Sequence, residues 1–167
     1  MQCCICLEDM ENPWDTDGLT LYACCGRTVH KKCGMDAAKH RSTCPWCRAP
    51  LPASTGEYMC LLRAGARANR GWAFFALAEH YRDKTSLGSD RLAKAMHERA
   101  IVHLKKDDWS RKLALGSKYI IAVVLWNQNR YRSFTEPERK RIMKLVTEAA
   151  DGGHPRAKIL LETMSGI

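Results

Sequence analysis

The chain has 167 residues, 27 Lys and Arg against 18 Asp and Glu, six His and nine Cys, with a formal charge of +9 at neutral pH. That length suits one ordinary domain or two small ones. Eight of the nine cysteines lie in the first 47 residues with a His inside the series, and Met1-Gln2 leads straight into Cys3 with no signal peptide. An odd count in that setting argues against a secreted disulfide scaffold and for a reducing cytosol or nucleus.

Taken in order, the chain opens on four pairs of metal-type ligands: Cys3 and Cys6, Cys24 and Cys25, His30 and Cys33, Cys44 and Cys47. Zinc takes four soft or borderline ligands in a tetrahedron, and a Cys-x2-Cys turn lets one short loop supply two of them. Four pairs therefore close two zinc sites, although spacing alone does not say which pairs share an ion. About 50 residues are too few to build a sufficient core unaided. Structural zinc supplies the shortfall, on the order of 10 kcal/mol per site. Asn12-Pro13 and Asp17-Gly18 are turn signals, Leu19 to Tyr22 alternates as a short strand, and Gly34 to His40 spans about two helical turns.

The opening Cys3-Cys4-Ile5-Cys6-Leu7-Glu8-Asp9-Met10 and the close Cys44-Pro45-Trp46-Cys47-Arg48-Ala49-Pro50-Leu51 resemble those of a RING finger. That resemblance implies a cross-brace, with Cys3, Cys6, His30 and Cys33 on one zinc and Cys24, Cys25, Cys44 and Cys47 on the other. It also implies a ubiquitin ligase module whose partners are a ubiquitin-conjugating enzyme and ubiquitin. Ile5, Pro45 and Trp46 match the positions of apolar contacts to that enzyme, and Arg48 matches a linchpin whose guanidinium bridges both partners. The sequence departs from the RING pattern in two places. Its middle ligands are the adjacent Cys24 and Cys25 followed by His30-x2-Cys33, and if the adjacent pair cannot share a zinc, His40 or Cys4 is the substitute ligand. The central helix lacks its usual Trp, with Ala38 or a neighbour in its place. The same ligand order fits a PHD finger, a reader of histone tails, but Ser42 stands where a PHD finger carries Trp.

Pro50-Leu51-Pro52-Ala53-Ser54-Thr55-Gly56 marks a boundary, giving a zinc-binding domain over 1–53 and a helical domain over 54–167. Helices are expected over 57–68, 71–81, from a Ser89 cap to about Leu104, and from an Asp107 or Asp108 cap toward Asn127. The last two run from Thr135, with Glu138 completing a capping box, to Asp151, and from Pro155 through Met164. Tyr119 to Trp126 is apolar throughout, yet its eight residues are far short of the roughly 20 of a membrane span, so no membrane association is expected.

Leu77-Ala78-x-x-Tyr81 recurs 38 residues later as Leu115-Gly116-x-x-Tyr119, and Leu161 falls a further 46 on. A period near 40 with a small residue after the Leu suits stacked helical hairpins. Glu148 to Ala157 resembles the junction between Sel-like repeats, relatives of the TPR. The expected fold is thus a small zinc-stabilised α+β RING cross-brace followed by an all-α, solenoid-like domain of helical hairpins. Opening two residues before a ligand and stopping after half a repeat, the chain reads as a piece of a longer protein.

Seven thiolates and two zinc ions lower the formal charge from +9 to +6, and the excess lies beyond residue 53. Those basic residues are dispersed and no nucleic-acid motif accompanies them, so they read as solvated helix faces and nucleic acid is not the expected partner. Enzyme constellations are lacking: His97 and His103 are six apart and share no helix face, and there is no Gly-x-Ser-x-Gly elbow or phosphate-cradling loop. The reading is a RING-type ubiquitin ligase module, cytoplasmic or nuclear, whose helices bind an unidentified protein substrate. The alternative is a zinc-dependent adaptor without ligase activity.

Overall fold

The computed structural model describes residues 2–10, 18–82, 87–104, 108–128 and 134–165. Its N-terminal part is an antiparallel pair, β1 (Leu19–Leu21) and β2 (Thr28–His30), followed by helix α1 (Lys31–His40). Leu19 faces His30, Thr20 faces Val29 and Leu21 faces Thr28. Six helices follow: α2 (Thr55–Arg67), α3 (Gly71–Arg82), α4 (Leu87–His103), α5 (Asp108–Gln128), α6 (Glu136–Asp151) and α7 (Pro155–Ser165). Among the described residues no helix is long and apolar enough to cross a membrane.

Local chemistry explains where these helices begin. Helix α2 starts two residues earlier than its apolar periodicity predicts, inside the proline-rich boundary. Ser54 caps it, accepting from the Glu57 amide at 3.2 Å, while the Glu57 carboxylate accepts from the Ala53 amide at 2.8 Å. At α6 the expected capping box forms, with Glu138 accepting from the Thr135 amide at 3.0 Å and from its hydroxyl at 2.8 Å. Ser89, by contrast, is no cap: α4 begins at Leu87 and Ser89 lies within its first turn. Asn12-Pro13 and Asp107 lie outside the described residues.

Two turns in the helical part share one hydrogen-bond pattern. After α2, the amide of Arg70 donates to Gly65 and that of Asn69 to Ala66; after α6, the amide of His154 donates to Ala149 and that of Gly153 to Ala150. Each is a Schellman ending with its left-handed residue, Asn69 (φ 54°) or Gly153 (φ 91°), where the motif requires one. Offset by 84 residues, the same offset that relates Leu77 to Leu161, these are equivalent helix-turn-helix joints. Each helix from α2 to α7 contacts the next, so three hairpins follow one another along the chain.

Apolar residues fill the spaces between them. Ala122, Ile142, Val146, Ala149 and Ala157 are buried between α5, α6 and α7. A second cluster joins the two parts of the chain: Ala23, with Leu21 beside it, packs with Met59, Leu62, Leu77 and Trp72. Contact there is tight, because a Cβ built on Gly26 (φ +74°) would lie 2.4 Å from the Trp72 indole. One polar group sits deep in the helical core. His97 is fully buried, its Nδ1 3.2 Å from Ser117 Oγ and its Nε2 3.4 Å from Glu79 Oε1. The Ser117 hydroxyl pairs with Nδ1, while Nε2 and Glu79 Oε1 face each other without closing a hydrogen bond. The resulting line ties α3, α4 and α5 together.

Two outcomes follow from this packing. Gly26→Ala should destabilise the protein by more than 2 kcal/mol, combining about 1 kcal/mol for the left-handed backbone with the clash on Trp72. Gly153→Ala meets nothing within 4 Å and should cost only the backbone share, a contrast readable in denaturant melts. The second concerns His154, whose imidazole burial and the neighbouring Arg156 charge push down from 6.5 to about 4. It stays neutral in the fold but protonates below 6.5 once unfolded, so its stabilisation is complete above pH 6.5 and is lost as pH falls toward 4. From pH 7 to 5 the protein should lose about 2 kcal/mol more than His154→Asn does, measured as paired thermal melts; Asn keeps the capping acceptor that His154 Nδ1 offers the Ala157 amide.

Candidate metal centres

Three short loops built to one plan carry the cysteine ligands outside α1. In the first, the Cys3 amide donates to Glu8 O and the Leu7 amide to Cys3 O, flanked by a bridge between Gln2 and Asp9. In the last, the Cys44 amide donates to Ala49 O and the Arg48 amide to Cys44 O, flanked by Thr43 and Pro50. The middle loop repeats this spacing bond for bond: the Tyr22 amide donates to Arg27 O and the Gly26 amide to Tyr22 O, flanked by Leu21 and Thr28. The residue that closes each turn is left-handed, at φ 63° for Leu7, 60° for Arg48 and 74° for Gly26.

Equivalence of the three loops explains the adjacent cysteines. Cys25 takes the place of Cys6 and Cys47, the second ligand of each turn. Tyr22 occupies the place of the first ligand, so the missing thiol comes from the intervening position, where the other loops present Ile5 and Trp46 to solvent. Cys24 is that thiol. The remaining ligands come from the strand-to-helix junction, His30 ending β2 and Cys33 lying in the first turn of α1.

These loops bring the eight residues into two groups, Cys3, Cys6, His30 and Cys33, and Cys24, Cys25, Cys44 and Cys47. Within each group all four ligand atoms lie within 4.8 Å of one another. Cys6 Sγ is 3.3 Å from His30 Nδ1, Cys24 Sγ 3.4 Å from Cys47 Sγ, and Cys25 Sγ 3.8 Å from Cys44 Sγ. A zinc tetrahedron with metal–sulfur bonds near 2.3 Å has an S···S edge of about 3.8 Å, so both groups fit the ion. Neither group includes Cys4 or His40, and the pairing is the interleaved one.

Electrostatics also call for a cation. With thiols alone, burial and the facing Cys6 and Cys3 sulfurs push Cys33 up to about 12, and burial with Cys44 nearby pushes Cys25 up to about 11. At Cys3 burial is outweighed by the amides of Cys6 and His30, which hold the thiol at about 6. Three or four thiolates do not coexist at such distances without a divalent ion to take up their charge.

Residues 1–48 match the family model of the ring finger domain. No curated protein and no solved structure matches the chain. Ring finger domains are common in ubiquitin ligases, and the two cross-braced clusters here are each able to bind zinc.

Several exposed side chains around the two ligand clusters are apolar or basic. Trp46 is 53% exposed and Ile5 37%, while Pro45 is half-buried and Arg48 exposed. The Arg27 guanidinium stacks over the Trp46 ring at 4.1 Å, a contact that spacing could not reveal. Leu7 and Met35 are also exposed, at 70% and 56%. Elsewhere, Glu79, His97 and Ser117 lie in a line, but Ser117 meets Nδ1 and Glu79 faces Nε2, the reverse of an acyl-transfer triad, and Ser117 and His97 are fully buried. Their role is to hold helices together.

Metal analysis of the reduced protein should return two zinc ions per chain. Cys24→Ser and Cys25→Ser should each lower this to one, and Cys4→Ser should leave it at two; native mass spectrometry distinguishes the three.

Proposed function

We propose that residues 1–48 recruit a ubiquitin-conjugating enzyme and hold its ubiquitin for transfer, with the helical hairpins as the surface that selects a protein partner. The observation that carries this reading is the exposed indole of Trp46 on the loop between two zinc ligands, with Ile5 at the same place in the first loop and Arg48 directly after the last ligand. An aromatic residue on a metal-clamped loop is a preorganised anchor that loses little entropy on binding. No covalent intermediate on this chain is involved. The module lowers the barrier by restraining the conjugating enzyme's ubiquitin so that a lysine attacks from a productive geometry.

Under this reading Arg48 spans the two partners, its guanidinium offering donors to both. The three hairpins act as degenerate Sel-like units, supported by the repeated Schellman turns and the 84-residue offset. A reducing compartment, cytoplasmic or nuclear, suits metal-bound thiolates. A second reading, an adaptor without ligase activity, is favoured by α1, where Ala37 and Ala38 leave no aromatic for the docking groove.

Incubation with ubiquitin, activating enzyme, ATP and a panel of conjugating enzymes separates the two. Ubiquitin chains should form with at least one enzyme, and Trp46→Ala or Arg48→Ala should reduce their rate at least tenfold with zinc content unchanged. Absence of chains with every enzyme tested would favour the adaptor.

A further inference from the structure

A cleft of about 60 Å³ lies between α3, α5 and the start of α7, lined among others by Phe75, Glu79, Arg82, Lys112, Tyr119 and Arg156. It is far smaller than the roughly 300 Å³ and upward of cofactor and metabolite sites, and so receives one functional group rather than a whole small molecule. Its walls are unevenly charged. Among the described lining residues, three cations come from three separate elements, Arg82 on α3, Lys112 on α5 and Arg156 on α7, with one carboxylate, that of Glu79.

One oxygen of that carboxylate is already engaged. Glu79 Oε2 is 2.7 Å from the Arg82 guanidinium, and Oε1 faces buried His97, itself held by Ser117. The polar line in the helical core therefore ends by orienting a guanidinium at the wall of the cleft, which lowers the ordering cost of using its remaining donors. The positive end of α7, opening at Pro155, lies beside Arg156 and adds to the field. His154, which also lines the cleft, is lowered in basicity first by burial and then by the Arg156 charge. Tyr119, stacked on His154 at 4.4 Å, and Phe75 supply aromatic walls. One helical turn beyond Arg156, on the same face of α7, Ile159 is 63% exposed and offers an apolar neighbour.

We propose that this cleft seats an Asp or Glu side chain of an acidic peptide segment in a protein partner, with Arg82, Lys112 and Arg156 binding the carboxylate. This rests on the reading that the helical hairpins engage a protein, and it does not require ligase activity. The test is fluorescence anisotropy on the full zinc-loaded chain with two labelled decapeptides, one alternating Gly and Glu, the other Gly and Gln. The Glu peptide should bind and the Gln peptide should be at least 30-fold weaker. Arg156→Glu and Lys112→Glu should each weaken the Glu peptide at least tenfold, and Arg156→Ala by a smaller factor. Arg63→Glu, on the exposed side of α2, makes the same change in net charge and should weaken it less than twofold. Melting temperature and zinc content of each variant confirm that it is folded.

Equal binding of the two peptides, no binding of either, or an equal loss with Arg63→Glu would overturn the proposal, the last by showing diffuse charge rather than a site. Preference for a single-stranded RNA decamer over the Glu peptide would overturn it as well. Failure of the ubiquitin assay leaves these measurements untouched, so the two readings fail separately.

Discussion

Four ligand atoms held within 4.8 Å of one another, twice over, are the constraint on which the N-terminal part depends. Its buried core is small, the ligands Cys3 and Cys44 with Met10, Tyr22 and Val29. That is too little apolar area to order some 50 residues against their conformational entropy. Two divalent ions reverse the balance, because each converts mutual thiolate repulsion into four bonds and ties together loops distant in sequence. Interleaving makes the effect global: the first ion joins the beginning of the module to its middle, and the second joins the middle to its end.

From the metals the order spreads outward through three loops of one design. Two of them use the position between their cysteines to present Ile5 and Trp46, and the third spends the same position on the ligand Cys24. The middle loop consequently has no exposed apolar tip. It meets the helical part instead, where Gly26 lies against the Trp72 indole and Ala23 enters the cluster with Met59 and Leu62. The next residue, Arg27, stacks on Trp46. A chain of contacts thus runs from α3 through the middle loop to the exposed indole, and the N-terminal part and the helices share a packed interface.

Within the helical part the same economy of design recurs. Equivalent Schellman turns end α2 and α6, and small residues let the hairpins approach: Gly152 comes so close to Leu115 that a Cβ there would sit 2.4 Å from its side chain. Into this apolar stack the fold admits the Glu79, His97 and Ser117 line, in which Nδ1 of His97 pairs with Ser117 while Nε2 and Glu79 Oε1 are buried without a hydrogen bond. Its two ends differ in character, one a sealed hydroxyl and the other a guanidinium at a cleft.

Much of this was legible in the chain itself. Ligand spacing named the eight candidate metal ligands, the resemblance of the first and last loops to a RING finger supplied their pairing, and apolar periodicity with cap, Pro and Gly signals located the six helices described beyond residue 53. The Thr135 box and the Gly152-Gly153 stop were readable because capping is local chemistry. Ser54 was equally local, yet two prolines and Gly56 made its surroundings look like a loop, and Ser89 looked like a cap although α4 had already begun. What tertiary structure alone decided has a common cause, since spacing carries no information about residues distant in sequence. The equivalence of Tyr22 with Cys3 and Cys44, the seat of Trp72 on Gly26, the burial of His97 and the convergence of Arg82, Lys112 and Arg156 all depend on which helices and loops meet, and only the closed fold brings those atoms within reach of one another.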